Sequence, residues 1–155
     1  MQNGEFLLKA VVHLGDGTLV KGFYNDSEEK VRGCLGSGGG YSLPSEIQLH
    51  PIGGGTATVD LNRAKALFFV ESFDGKPEYN EVKFFKARPE LAGLWVRMRF
   101  ADGEVTEGVV HNSISFLISP GFFVKPPDPL SNNRLIYALK KSLVDFQILA
   151  IRNEY

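Results

Sequence analysis

Cys34 is the single cysteine of the chain and lies in Gly33-Cys34-Leu35-Gly36. A reactive thiolate needs a neighbouring base or cation to lower its pKa. Nothing adjacent supplies one, and Cys34 reads as an incidental small side chain. The run Gly36-Ser37-Gly38-Gly39-Gly40 could cradle a phosphate. A P-loop, however, requires Lys-Ser/Thr after its last glycine, and a dinucleotide loop requires glycine at its sixth position. This chain has Tyr41-Ser42 there, so the run reads as a hairpin tip. His13, His50 and His111 are isolated, with no Cys-x-x-Cys or His-x-x-x-His spacing. No metal and no organic cofactor is expected. With no nucleophile–base pair either, the expectation is a protein that is not an enzyme.

Two constellations remain as binding candidates. Trp95, Arg97 and Arg99 alternate along one stretch, which on a strand puts them on one face. An aromatic interleaved with cations can hold single-stranded nucleic acid. The plainer reading is a solvated outer face, with Trp95 packing between halves of the molecule. The second constellation follows Pro126-Pro127-Asp128-Pro129, where three prolines in four residues impose a stiff loop. Asp128, Asn132, Asn133 and Arg134 offer donors and acceptors there. Stiffness lowers the entropy lost on binding, although Asp and Asn in such loops also cap their own backbone.

The elements that must carry these residues come in two copies. Residues 8–24 (LKAVVHLGDGTLVKGFY) match residues 94–110 (LWVRMRFADGEVTEGVV) at a shift of 86. Leu8, Ala10, Val12 and Leu14 then fall on Leu94, Val96, Met98 and Phe100, which is the period-two signature of a strand with one buried face. Asp16-Gly17 and Asp102-Gly103 are hairpin turns. Gly22 and Gly108 sit inside the following strands, where glycine marks a bend or a close approach. The likeness resumes at a shift of 78, where Val59–Ala66 falls on Tyr137–Val144. Each copy there shows a strand, one polar 3₁₀-like turn and an apolar strand. Ile114–Ile118 and Phe122–Lys125 read as two strands about the Ser119-Pro120-Gly121 turn. Glu81–Phe85 reads as either an extra strand or a short helix.

Bulk properties narrow the classes further. The chain has 155 residues, of which 43% are hydrophobic and 23% charged, enough apolar material for a packed core. The net charge of −1 argues against a generic polyanion binder. No apolar run nears the roughly 18 residues of a membrane span, and MQNGEFLLKA lacks the basic and apolar regions of a secretory leader. One cysteine leans toward a cytoplasmic setting.

The string Val12-His13-Leu14-Gly15-Asp16-Gly17-Thr18-Leu19-Val20-Lys21-Gly22, repeated as Val96–Gly108, resembles the first motif of the Sm-like family of small β-barrels. Arg134 to Leu149 resembles its second motif. That resemblance implies strand edges used for assembly, here paired within the chain. It also implies RNA contacts near the turn before the last strand, where Asn62-Arg63-Ala64 and Lys140-Lys141-Ser142 stand. The segments Ala66–Phe85 and Gly121–Leu149 are similar to an uncharacterised family of bacterial proteins, which implies a bacterial, cytoplasmic source. A PilZ-type barrel would require Arg-x-x-x-Arg, which Arg97-Met98-Arg99 does not match.

The resulting expectation is an all-β chain of two five-stranded SH3-like (Sm-like) small barrels, packed together. They span residues 1–73 and 93–155, with an ordered connector over 74–92. The expected role is that of a non-catalytic binding or adaptor module, a monomer or small homo-oligomer. The expected partner is another protein, met through a strand edge or the proline loop; the alternative is RNA or single-stranded nucleic acid.

Overall fold

A computed structural model describes residues 5–27, 43–86 and 92–152. Cys34, the Gly36–Gly40 run and Arg88-Pro89 lie outside the described residues. Ten strands dominate: β1 Glu5–Leu14, β2 Leu19–Ser27, β3 Glu46–Leu49, β4 Ala57–Asp60, β5 Ala64–Val70, β6 Gly93–Phe100, β7 Val105–Val110, β8 Gly121–Lys125, β9 Asn133–Leu139 and β10 Leu143–Arg152. One-turn 3₁₀ helices at Leu61–Arg63 and Lys140–Ser142 lead into β5 and β10.

Eight strands form one antiparallel sheet in the order β10-β6-β7-β8-β9-β5-β1-β2, and β3 and β4 form a separate hairpin. A single bridge, Phe23 to His50, ties that hairpin to β2. Among the described residues no sheet closes on itself, so the ladders there are open rather than two closed barrels. β5 pairs with β9, which joins the two halves of the chain edge to edge.

The Asp-Gly turns form as their chemistry dictates. Asp16 and Asp102 each accept a hydrogen bond from the backbone N–H two residues on, at 2.9 and 3.0 Å. Gly17 and Gly103 take φ of +92° and +96°, which L side chains rarely adopt. Gly22 and Gly108 serve a different need. A Cβ on Gly22 would meet Leu49 and His50, and one on Gly108 would meet Val124 and Lys125, so each strand crosses its neighbour too closely for a side chain.

Two hydrophobic cores flank the junction. Leu67 and Phe69 of β5, with Leu135, Tyr137 and Leu139 of β9, enter a first core built on Ala10, Val12, Ile47, Leu49 and Val59. The intervening Ala66, Phe68 and Val70, with Ile136 and Ala138, enter a second core built on Val96, Met98, Phe100 and Val124. Both faces of β5 and β9 are therefore buried. This accounts for their unbroken apolar runs LFFV and LIYAL, since alternation is needed only where one face meets water.

One expected element differs. Ile114–Ile118 is a short helix, α1, rather than a strand. Four apolar residues in a run of five suit either state by pattern alone. Here Phe116 turns inward against Phe122 and Phe146, with centroids 5.1 and 5.6 Å away, while Ile114, Leu117 and Ile118 stay exposed. Glu81–Phe85, read as strand or short helix, is neither; it is irregular backbone, held by side chains.

Candidate functional site

Trp95, Arg97 and Arg99 share a face of β6, and Leu94, Val96, Met98 and Phe100 fill the opposite one, as the alternation requires. Two of the three are already engaged. The Glu107 carboxylate on β7 is 2% exposed and accepts from Arg97 Nε at 2.9 Å and Nη2 at 2.7 Å. Its other oxygen accepts from Trp95 Nε1 at 3.3 Å and from the Phe85 N–H at 2.9 Å. The Phe85 ring meets Trp95 edge-on at 5.8 Å. Trp95 thus packs against the connector. Arg99 is exposed.

The proline-loop residues also face the connector. Asp128 is buried and accepts from Tyr79 Oη at 2.6 Å, the Val82 N–H at 3.0 Å and the Leu130 N–H at 2.9 Å. The Tyr79 hydrogen bond, aided by those from Val82 and Leu130, holds the Asp128 carboxyl below its ordinary value. Asn132 clamps Ser72 from both sides: its Oδ1 accepts from the Ser72 N–H at 2.9 Å, and its Nδ2 donates to the Ser72 carbonyl at 3.0 Å. Ser131 and Asn133 both bond Glu81. Arg134 reaches Glu71 at 3.4 Å. Asp128, Asn132, Asn133 and Arg134 are therefore brought together, as fasteners of residues 71–82. Arg97 and Arg134 are held by different carboxylates.

A cavity of about 320 Å³ lies where the two Asp-Gly turns and the two 3₁₀ turns meet. His13, Arg63, Lys65, Asp102, Lys141 and Ser142 line it. Lys65 spans the halves, bonding Asp102 at 2.7 Å and also Glu104. Burial lowers the Lys65 ammonium, but hydrogen bonds to Asp102 and Glu104 more than reverse this, and its pKa rises. Burial raises the Glu104 carboxyl, and hydrogen bonds from Lys65 and Lys83 outweigh it, so that pKa falls. His13 is held below its ordinary value by burial and by Lys65, which leaves it neutral at pH 7. Among the described residues no three His, Cys, Asp or Glu side chains gather as a metal site requires.

A third feature was not singled out by motif reasoning. β10 is an edge strand, hydrogen-bonded to β6 alone among the described strands. Between β10 and α1 runs a groove of about 360 Å³ lined by Phe116, Phe122, Leu143, Val144 and Phe146 together with the charged Lys140 and Asp145. Val144, one of its lining residues, is 63% exposed; Ile148 further along β10 and Leu117 of α1 are 50% and 69% exposed. Lys140 Nζ donates to the Phe116 carbonyl and, at 3.2 Å, to that of Leu117, fixing α1 as one wall. The available sequence signal was an apolar run, LVDFQILAI, with little alternation in a strand that has no second neighbour among the described strands. Exposed apolar groups contiguous in this way mark interaction surfaces more often than isolated ones do.

No helix among the described residues is long and apolar enough to cross a membrane. No curated protein and no solved structure matches the chain. A family model does match, over residues 8–150, which is nearly the whole chain, and the protein belongs to that family of unknown function, DUF6982.

Proposed function

We propose that the protein is a non-catalytic binding module that engages other proteins through the open edge of β10. The observation that carries this reading is the combination on β10 of a strand edge with no described neighbour along 143–149, exposed Val144 and Ile148, and the adjoining groove. An edge strand offers backbone N–H and C=O groups at ladder spacing, which is how extended peptides are held by strand addition. The proline loop contributes less to such a role, because its polar groups are taken up by the connector.

The module is a tandem of two small-barrel-type units. Several likenesses support this. β1–β5 and β6–β10 share one strand order, with the fifth strand beside the first and the second leading to the third. The 3₁₀ turns correspond, 79 residues apart rather than 78. The Gly15 N–H bonds the Arg63 carbonyl just as the Ala101 N–H bonds that of Ser142. The single Cys34 favours the cytoplasm as the setting.

Selecting from a displayed peptide library with the full chain tests this reading. Enrichment of protein ligands supports it, and failure to enrich any, with nucleic acid bound instead, overturns it. One observation favours the nucleic-acid alternative: Arg63 and Lys141, from the two 3₁₀ turns, line the same cavity. A salt-dependent gel shift weakened by Arg63→Glu and Lys141→Glu would be its signature.

A further inference from the structure

The first core is completed by a strand from the other half of the chain. β9 lies antiparallel to β5, with Tyr137 opposite Leu67 and Leu135 opposite Phe69. Leu135, Tyr137 and Leu139 are 3%, 1% and 2% exposed within that core. Leu67 and Phe69 pair in turn with Val12 and Ala10 of β1.

β10 stands to β6 as β5 stands to β1. Phe146 pairs with Met98 and Ile148 with Val96. Both ladders break register at the same place, near Leu14/Ala64 in one and Phe100/Leu143 in the other, and β10 has a second break between Ile148 and Ala150, beyond the stretch compared. Antiparallel partners share a face, so Phe146 and Ile148 point toward the second core as Leu67 and Phe69 point toward the first. The difference lies on the outer side. Leu67 and Phe69 are 0% and 4% exposed beneath β9, whereas Ile148, beside no further described strand, is 50% exposed. The groove between β10 and α1 stands where the first core receives β9.

We infer that this groove takes an extended segment of a separate protein partner, antiparallel to β10, with large apolar side chains at alternate positions. This rests on the binding-module reading and names the chemistry of its ligand. One apolar side chain lies opposite Ile148, the next opposite Phe146, and the third reaches Leu143 and Phe116. The intervening side chains face Asp145 and Gln147, so they are polar, and a cation is favoured beside Asp145. A second copy of this chain fits less well. Of the other edge strands, β2 has its outer side crossed by the Phe23–His50 bridge and the β3–β4 hairpin, and β4 in the same pose would place Thr58 and Thr56 where β9 places Tyr137 and Leu135.

The probe is a fluorescently labelled peptide of residues 134–141, RLIYALKK, which carries the β9 pattern and a soluble tail. Its anisotropy is titrated with the full chain. Expected are saturable binding, slowed hydrogen exchange at residues 145–149, and at least about tenfold weaker binding for Ile148→Lys, for Val144→Lys in the groove lining, and for a peptide with its three alternate apolar residues changed to Thr. About tenfold corresponds to about 1.4 kcal/mol. Both protein variants alter exposed positions, so an unchanged unfolding midpoint certifies the fold. Absence of binding, indifference to all three changes, or protection on β5 instead of β10 overturns the inference. A concentration-dependent dimer abolished by Ile148→Lys also overturns it, by making the chain its own occupant. Library ligands that bind Ile148→Lys undiminished would refute this groove while leaving the binding-module reading intact.

Discussion

Glu107 lies beneath Arg97 with both guanidinium contacts at or below 2.9 Å, and the same carboxylate accepts the Phe85 N–H. One buried acid therefore fastens the connector to the sheet and occupies the arginine that alternation had offered to a ligand. Glu107 is 2% exposed and the Arg97 side chain 46% exposed, so the pair is half-solvated and worth less than a fully buried one. Glu107→Ala should destabilise the protein by about 2–3 kcal/mol, because four N–H donors from three residues lose their acceptor. Urea unfolding measures this, and a change below about 0.5 kcal/mol would contradict the assignment. Arg97→Glu should be nearly as harmful, so charge reversal in a nucleic-acid assay belongs at Arg99 instead.

Gly108→Ala should cost about 1–3 kcal/mol, since the new Cβ overlaps the Val124 side chain and nears the Lys125 carbonyl. Val124→Ala in the same chain should recover part of that loss by vacating the space. If the double variant is as unstable as the sum of the singles, the close approach of β7 and β8 is not the cause.

The Lys65 cluster should show graded coupling in double-mutant cycles. Asp102 is 55% exposed and Glu104 30%, against 13% for Lys65. Lys65–Asp102 should couple by no more than about 1 kcal/mol, as surface pairs do. Lys65–Glu104 should couple more strongly, being less screened. Equal coupling energies would refute the ranking.

Acid should loosen the molecule through Asp128, Glu104 and Asp102, whose carboxyls are all held below their ordinary values of 3.8, 4.5 and 3.8. A depressed folded pKa contributes stability that is complete above the unfolded value and vanishes as pH falls through the folded one. The contribution of these three carboxyls should therefore be complete above about pH 5 and decline below pH 4.5, on top of a gentler decline that begins below pH 6.5, where the unfolded His13 charges and the folded one resists. Asp128→Asn should shallow that acid limb and, at pH 7, raise the hydrogen-exchange rate at Val82. An unchanged Val82 rate would mean that Asp128 does not hold the connector.

The local chemistry of the chain was legible in its residues. Period-two patterning located β1 and β6 and their buried faces, the Asp-Gly pairs located their turns, and Gly22 and Gly108 marked the close strand crossings. These are short-range properties, set by side-chain alternation and φ preference within a few residues. The family match and the all-β class fit that reading. What the residues did not reveal depends on partners distant in the chain. Ile114–Ile118 became a helix because Phe116 found Phe122 and Phe146. Trp95, Asp128 and Asn132 became fasteners because residues 72–85 folded over them and supplied Phe85, Tyr79 and Ser72, and Arg97 was taken up by Glu107 of β7. The burial of Glu107 arises in the same way. β5 and β10 read alike as apolar closing strands, and tertiary structure alone made them different. β5 received β9 on its outer edge and was buried on both faces, whereas β10 received no described strand and kept an apolar edge open. Burial is a sum over neighbours, and a sequence pattern specifies the face a residue prefers without specifying what arrives to cover it.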